Sequence, residues 1–378
     1  MQAAQTRHAR TGRTGLIPDI AQGRARSNIK MPKTQKKKQR RLKVVLVGNV
    51  AAKAVDQLQR LIKSPSTIFA FPVNRDDPRM LKELSTADVA VGNFFTERMA
   101  HAARNLKLLQ APNAGVDAFR MDLLSPQTSV ANAYFHGPAI AEFVVMMILA
   151  LRRDLLNLDA RFRKGIWNGS WIEGEMPPEE VLGKSLGLVG YGTIGREVAA
   201  RARALGMSIK VISAHPPTRK PRDVDFWKSP AALPRLLKES DYIVLACPLN
   251  NETRGLIGAR EFSQMKRSAF LINVARGAVV QEEALFRALK QRRIAGAAID
   301  VWYRYPKTDR PFRPSRFPFH KLPNVVMTPH VSGWMLGTRG KRLELVAENI
   351  DRLVRGKLLL NVVQGPRKHS RAEWNASI

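Results

Sequence analysis

The spacing Gly190, Gly192, Gly195 is where this sequence most plainly carries chemistry. The triplet follows an apolar, strand-like run at 185–189 and opens a helical run at 196–205. In that setting the first glycine allows a tight turn, the second lets the backbone approach a pyrophosphate, and the third lets helix and strand pack closely. The N–H groups of Thr193 and Ile194 then face the phosphates from a helix N-terminus. The chemistry is dinucleotide binding. An acid about 20 residues further on normally takes the adenine ribose hydroxyls. Here the next strand runs instead into Ser213, Ala214 and His215, with Arg219, Lys220 and Arg222 close behind. The expected cofactor is therefore NAD or NADP, the basic loop tipping the balance toward NADP because it can neutralise a 2′-phosphate.

Three further segments end predicted strands: Asn273-Val274-Ala275-Arg276-Gly277, Ile299-Asp300-Val301, and Thr328-Pro329-His330-Val331-Ser332-Gly333. Ligands of open α/β sheets bind beyond the carboxyl ends of the strands, so Arg276, Asp300 and His330 are expected to project toward the nicotinamide half of the cofactor. A guanidinium can hold a carboxylate through two charge-assisted hydrogen bonds. An imidazole can exchange a proton near neutral pH. Taken singly, each residue has a dull explanation, as a surface cation, a turn acid or a hydrogen-bonded ring. Their occurrence together at successive strand ends carries the functional reading.

With the glycine motif, these segments resemble the D-isomer-specific 2-hydroxyacid dehydrogenase family, which includes phosphoglycerate, glyoxylate/hydroxypyruvate and formate dehydrogenases. The resemblance covers roughly residues 43–360 and extends to three more stretches. Pro112-Asn113-Ala114-Gly115-Val116-Asp117 is similar to the family's substrate loop, Ala141-Glu142-Phe143 to the opening of its crossing helix, and Cys247-Pro248-Leu249-Asn250-Asn251-Glu252-Thr253 to its cofactor-flanking loop. It implies hydride transfer between NAD(P)H and a small 2-oxo or 2-hydroxy acid. Arg276 would anchor the substrate carboxylate, helped by Asn113 and by backbone N–H groups around Ala114 and Gly115. His330 would be acid and base, and Asp300 would bind the nicotinamide amide. Ser213, Cys247, Pro248, Thr253, Val274, Ala275 and Gly333 would flank the cofactor. His136 either contacts substrate or cofactor or is structural. The resemblance also implies a homodimer, a Rossmann cofactor domain and a flavodoxin-like substrate domain.

One position departs from the pattern. The family carries a glutamate before the proline that follows the Asp-Val pair, where it sets the pKa of the histidine; here Tyr305 precedes Pro306. A phenol cannot stabilise an imidazolium as a carboxylate does, so a lower His330 pKa and a downward-shifted pH optimum for ketone reduction are expected. The departure keeps two alternatives open: a cofactor-binding, corepressor-like sensor, and formate-like oxidation without a proton relay.

The elements that must position these residues are legible as alternating strands and helices. Strands are predicted at 43–47, 67–70, 88–91, 106–110 and 129–132, forming one parallel sheet, then at 185–189, 208–212, 242–245, 270–273, 295–299 and 324–327, forming another. A largely apolar helix at 140–156 lies between the two series, and an amphipathic helix at 342–355 follows the second. Two interleaved α/β domains result. Residues 43–138 plus 332–364 would form the substrate domain and 139–331 the cofactor domain. Residues 1–42 would be a disordered basic tail and 365–378 a polar C-terminal tail.

The formal charge is +32, from 63 Lys and Arg against 31 Asp and Glu; thirteen of the basic residues and a single acid, Asp19, fall within residues 1–43. Such a field attracts anionic substrates and binds nucleic acid loosely, without naming a specific nucleic-acid partner. A single cysteine, Cys247, permits no internal disulfide and no cysteine metal cluster. The longest apolar stretch, 143–151, is too short to span a bilayer, so a cytoplasmic protein without a membrane partner is expected. An Arg-rich N-terminus is also compatible with organellar targeting.

Overall fold

The computed structural model describes residues 41–72, 77–167, 177–219, 221–306 and 311–366. Five strands build the first sheet: β1 (Leu42–Val47), β2 (Ser66–Phe71), β3 (Val89–Gly92), β4 (Leu108–Gln110) and β5 (Ser129–Ala131). They are parallel, in the order β5-β4-β3-β1-β2, the flavodoxin arrangement. Seven more build the second: β6 (Ser185–Val189), β7 (Ser208–Ile212), β8 (Phe226–Lys228), β9 (Tyr242–Leu245), β10 (Phe270–Asn273), β11 (Gly296–Ile299) and β12 (Val325–Met327). Their order, β12-β11-β10-β9-β6-β7-β8, is that of a Rossmann sheet, with its switch point between β6 and β9. A last strand, β13 (Val362–Gln364), returns to the first sheet and pairs antiparallel with β5.

The expected parallel first sheet is corrected by β13, and β8 was likewise not expected; both are three-residue strands at sheet edges. The central strands were readable because both faces are covered. All four residues of β9 are buried, and each apolar side chain so placed contributes roughly 2 kcal/mol.

The covering helices are α1 (Asn49–Ala52), α2 (Val55–Leu61), α3 (Pro78–Leu84), α4 (Glu97–Ala102), α5 (Gly137–Arg152), α6 (Leu155–Phe162), α7 (Thr193–Ala204), α8 (Leu233–Glu239), α9 (Ala259–Gln264), α10 (Glu282–Lys290) and α11 (Leu336–Val354). The expected single helix at 140–156 is two helices. Asp154 sits at φ 50, a left-handed conformation open to few residues, and α6 restarts behind it. Buried Ile140, Val144, Met147 and Ile148 give α5 one apolar face, which packs on α7 and on β10 and β11. By contrast α11 packs on α2 and β4 of the first sheet. The chain thus crosses between sheets twice, between β5 and α5 and between β12 and α11.

Buried Asn349 secures the return. Its Nδ2 donates to Gln110 Oε1 at 2.7 Å and to the Leu360 carbonyl at 2.9 Å, and it accepts the Leu360 N–H at 2.7 Å. The tail boundary moves slightly, since Leu42 already belongs to β1 and is buried; residues 1–40 and 367–378 lie outside the described residues. Among the described residues no helix is long and apolar enough to cross a membrane, and no cluster of His, Cys, Asp or Glu could hold a metal ion.

Candidate active site

The glycine turn joins β6 to α7. Gly190 has φ +102, and a Cβ there would lie 2.8 Å from the Ala246 carbonyl and 2.9 Å from the Cys247 nitrogen. Only glycine fits. A Cβ on Gly195 would run into the carbonyl oxygen of Gly190, so helix and turn are in contact. A Cβ on Gly192 would meet nothing within 4 Å, which leaves open space over the N-terminus of α7, where a pyrophosphate fits. The flanking loop is stapled by Thr253, whose hydroxyl donates to the Pro248 carbonyl at 2.6 Å and accepts the Asn250 N–H at 2.9 Å. At the end of β7, Ser213 Oγ accepts the indole N–H of Trp227 at 2.8 Å, and Trp227 packs edge-on against Tyr191. Arg219 and Arg222 are exposed nearby in sequence, and Lys220 lies outside the described residues.

Arg276 follows β10 and reaches across to the first sheet. Its Nε lies 3.2 and 3.3 Å from the two carboxylate oxygens of Asp117, and Nη2 lies 3.1 Å from one of them. Nη1 donates to the Ala275 carbonyl at 2.8 Å. Buried Asn273 shapes this turn, accepting from the Ala275 N–H and donating to the Arg276 carbonyl. Gly115 lies under the guanidinium, and a Cβ there would strike Nη2. The carbonyls of Ala114 and Gly115 are taken by the side-chain amides of Asn132 and Asn113 at 2.8 and 3.0 Å. Their N–H groups donate to nothing among the described residues.

Asp300, the residue expected to bind the nicotinamide amide, is fully buried at the end of β11. Its oxygens accept from the Thr328 hydroxyl at 2.6 Å and from the N–H groups of Val331 and Ser332 at 2.8 and 3.0 Å. These bonds pin the loop on which His330 adopts φ 60, a left-handed backbone that costs an L-residue roughly 1 kcal/mol.

Tyr305 meets that histidine. Its hydroxyl oxygen lies 3.0 Å from His330 Nδ1 and accepts the Trp302 N–H at 3.3 Å. A hydroxyl oxygen has two lone pairs as well as a hydrogen, so beside the Trp302 N–H it can serve Nδ1 of either a neutral ring or an imidazolium, and Nε2 is left for other partners. Burial holds the His330 imidazole below its ordinary range; Asp300 opposes this, the Arg276 charge adds to it, and Asp117 opposes it again. The direction matches the expectation from Tyr305, while the leading cause is burial. Burial also raises the Tyr305 phenol above its usual range.

His136 precedes α5 at the first crossing, with Nδ1 on the Tyr134 carbonyl at 3.1 Å. Its pKa is pushed down to about 4, first by burial and then by the charge of Arg342, with smaller contributions from Arg276 and His330. Gly333, from the second crossing, closes on it: a Cβ there would lie 3.3 Å from His136 Cβ and 3.6 Å from Arg342 Nη2. Of the sequence candidates, the structure therefore gathers Arg276, His330, Tyr305, His136, Gly115 and Gly333 around the seam between the sheets. Gly190, Cys247 and Ser213 mark the turn and strand ends of the second sheet. Asp117, Asn273, Trp227 and Arg342 were missed as site residues. Only Asp117, two residues beyond Gly115 in the substrate-like loop, carried a local signal.

Residues 145–332 match the D-isomer specific 2-hydroxyacid dehydrogenase, NAD binding domain. A glyoxylate reductase of Thermococcus gammatolerans is 39% identical over 224 residues, which are 58% of this chain and 64% of that enzyme. The chain thus spans just under two thirds of that relative. A glyoxylate reductase of Thermococcus kodakarensis is 32% identical over 312 residues, 79% of this chain and 90% of the relative. Among solved structures, D-lactate dehydrogenase from Aquifex aeolicus, complexed with NAD and lactic acid, has a TM-score of 0.72 at 26% identity and covers 85% of this chain and 99% of its own.

Proposed function

The chain belongs to the D-isomer specific 2-hydroxyacid dehydrogenase family, and from that premise we propose that it reduces a small 2-oxo acid to the 2-hydroxy acid at the expense of NAD(P)H. The reading rests above all on one arrangement: the Arg276–Asp117 pair lies within electrostatic reach of the His330–Tyr305 pair. Arg276, with the free N–H groups of Ala114 and Gly115, holds the substrate carboxylate. The Gly190–Gly195 turn and the N-terminus of α7 would hold NAD(P)H, which when bound would supply the hydride for the carbonyl carbon. His330 delivers a proton to the developing alkoxide from Nε2, and Tyr305 orients the ring through Nδ1. Asp300 acts from behind, by holding the His330 loop in place.

The preference for NADP follows from the end of β7. Ser213 already accepts from Trp227, so its own hydroxyl hydrogen is available to a 2′-phosphate, and Arg219 and Arg222 supply charge. A homodimer is favoured by the apolar side chains left exposed along α5 and α6, Met146, Leu149, Leu155, Leu156 and Phe162.

The test is a panel of glyoxylate, hydroxypyruvate and larger 2-oxo acids with NADH and with NADPH. Wild type should consume reduced cofactor, and Arg276→Ala and His330→Ala should each lose about 100-fold or more in kcat/KM. Cofactor that binds and stays reduced with every acid would favour a sensor. Arg276→Ala with wild-type efficiency on every acid would remove the carboxylate anchor.

A further inference from the structure

Arg342, on α11, brings a guanidinium into the seam between the sheets without an acid to meet it. Its Nε donates to the Tyr134 carbonyl at 3.2 Å, and no carboxylate pairs with it among the described residues. The groups that meet it are the Tyr134 carbonyl, the imidazole of His136 and the backbone of Gly333. None carries negative charge. Its partial burial lowers its proton affinity, with no acid acting against that. A partly buried cation lacking a counter-charge is costly to hold, and an anion arriving from outside would offset that cost.

The position says which anion. Arg342 stands against His136, and His136 feels Arg276 and His330 as well, so the two arginines and the two histidines share one stretch of the seam. Gly333, three residues past His330, brings bare backbone close to both groups: a Cβ there would lie 3.3 Å from His136 Cβ and 3.6 Å from Arg342 Nη2. A substrate whose first carboxylate lies on Arg276 and whose carbonyl lies at His330 would extend its remaining atoms toward His136 and Arg342.

We propose that Arg342 binds a second anionic group at the far end of the substrate, so that the preferred substrate is a dianionic 2-oxo acid bearing a terminal carboxylate or phosphate. This rests on the reading of Arg276 as anchor of the first carboxylate. His136, kept neutral, is the hydrogen-bonding spacer between the two cationic ends.

The test uses the full chain at saturating NAD(P)H, with pyruvate and 2-oxobutyrate as monoanions, oxaloacetate and 2-oxoglutarate as dicarboxylates, and phosphohydroxypyruvate as the phosphorylated arm. Wild type should prefer the better dianion by about 30-fold in kcat/KM, the value of one charge-assisted contact of ~2 kcal/mol. Arg342→Met should abolish that preference through KM with kcat retained, and Arg342→Lys should restore part of it. A Tm for Arg342→Met at or above wild type is expected, because an unpaired buried charge is replaced by an apolar chain of similar length. A merely structural arginine would lower Tm instead. Preference for monoanions in wild type, an unchanged ratio in Arg342→Met, or a rise confined to the cofactor KM overturns the proposal. Calorimetric binding of 2-oxoglutarate and of phosphohydroxypyruvate to the NADP⁺ complex separates the failures. Arg342-dependent binding without turnover keeps the anion site and removes the reductase reading; no Arg342-dependent binding removes the anion site.

Discussion

The Tyr305 hydroxyl stands 3.0 Å from Nδ1 of His330 while accepting the Trp302 amide at 3.3 Å, so the phenol orients the ring from the position where the family places an acid. With the His330 pKa lowered from 6.5, the imidazolium that can give up a proton is populated on the acid side. Ketone reduction should therefore fall as pH rises through a value below 6.5. Tyr305→Glu should carry this limb to higher pH by placing an anion against the ring, and Tyr305→Phe should cost about 10-fold in kcat. Profiles of kcat/KM against pH check both; superimposable curves for wild type and Tyr305→Glu would separate the phenol from the proton transfer.

Asp117 takes one edge of the Arg276 fork and places a negative charge beside the proposed carboxylate site. Asp117→Asn keeps an acceptor for Nε and removes that charge. The KM for 2-oxo acids should drop about 3- to 10-fold with kcat little changed, whereas Asp117→Ala, which frees the side chain to swing, should lower kcat. Steady-state kinetics decide; a raised KM in Asp117→Asn would mean that the acid helps binding.

His136 is neutral in the fold because burial, then Arg342, lowers its pKa from 6.5 to about 4. The unfolded chain takes up the proton first as pH falls. Stability from this residue is thus complete above pH 6.5 and is lost as pH drops toward 4, by about 3 kcal/mol in all. His136→Asn keeps a donor for the Tyr134 carbonyl and does not titrate there. Its Tm should change less than that of wild type between pH 7 and pH 4.5 in calorimetry.

Gly192 and Gly190 should respond differently to alanine. A methyl on Gly192 enters open space, so Gly192→Ala should keep the wild-type Tm while weakening NAD(P)H binding, read by fluorescence titration. At Gly190 the methyl meets the Ala246 backbone at 2.8 Å on a φ of +102, and Gly190→Ala should lower Tm as well.

How much could be read beforehand depended on how local each feature is. The Gly190–Gly195 turn and the strands around it lie within one short stretch, and both sheets follow from near-continuous apolar runs such as Tyr242–Leu245. Phe226–Lys228 and Val362–Gln364 escaped because three residues set no period and their pairing partners lie elsewhere. The break at Asp154 hid in an apolar run that a helix could have continued. Tyr305 was visible as a departure, but its contact with His330 spans 25 residues and exists only once β11 and β12 are paired. Arg342 looked like one cation among 63 until the second crossing placed it beside His136.

The grip of Asn349 on Gln110 and Leu360 has a consequence for how the molecule is made. Strands β1 to β5 leave the ribosome first, yet the helix and edge strand that cover them are synthesised last. The second sheet, contiguous in the chain, can assemble while the earlier one still waits for its cover. A nascent chain halted just after Met335 should therefore protect residues 185–327 from protease and leave residues 42–131 cleavable.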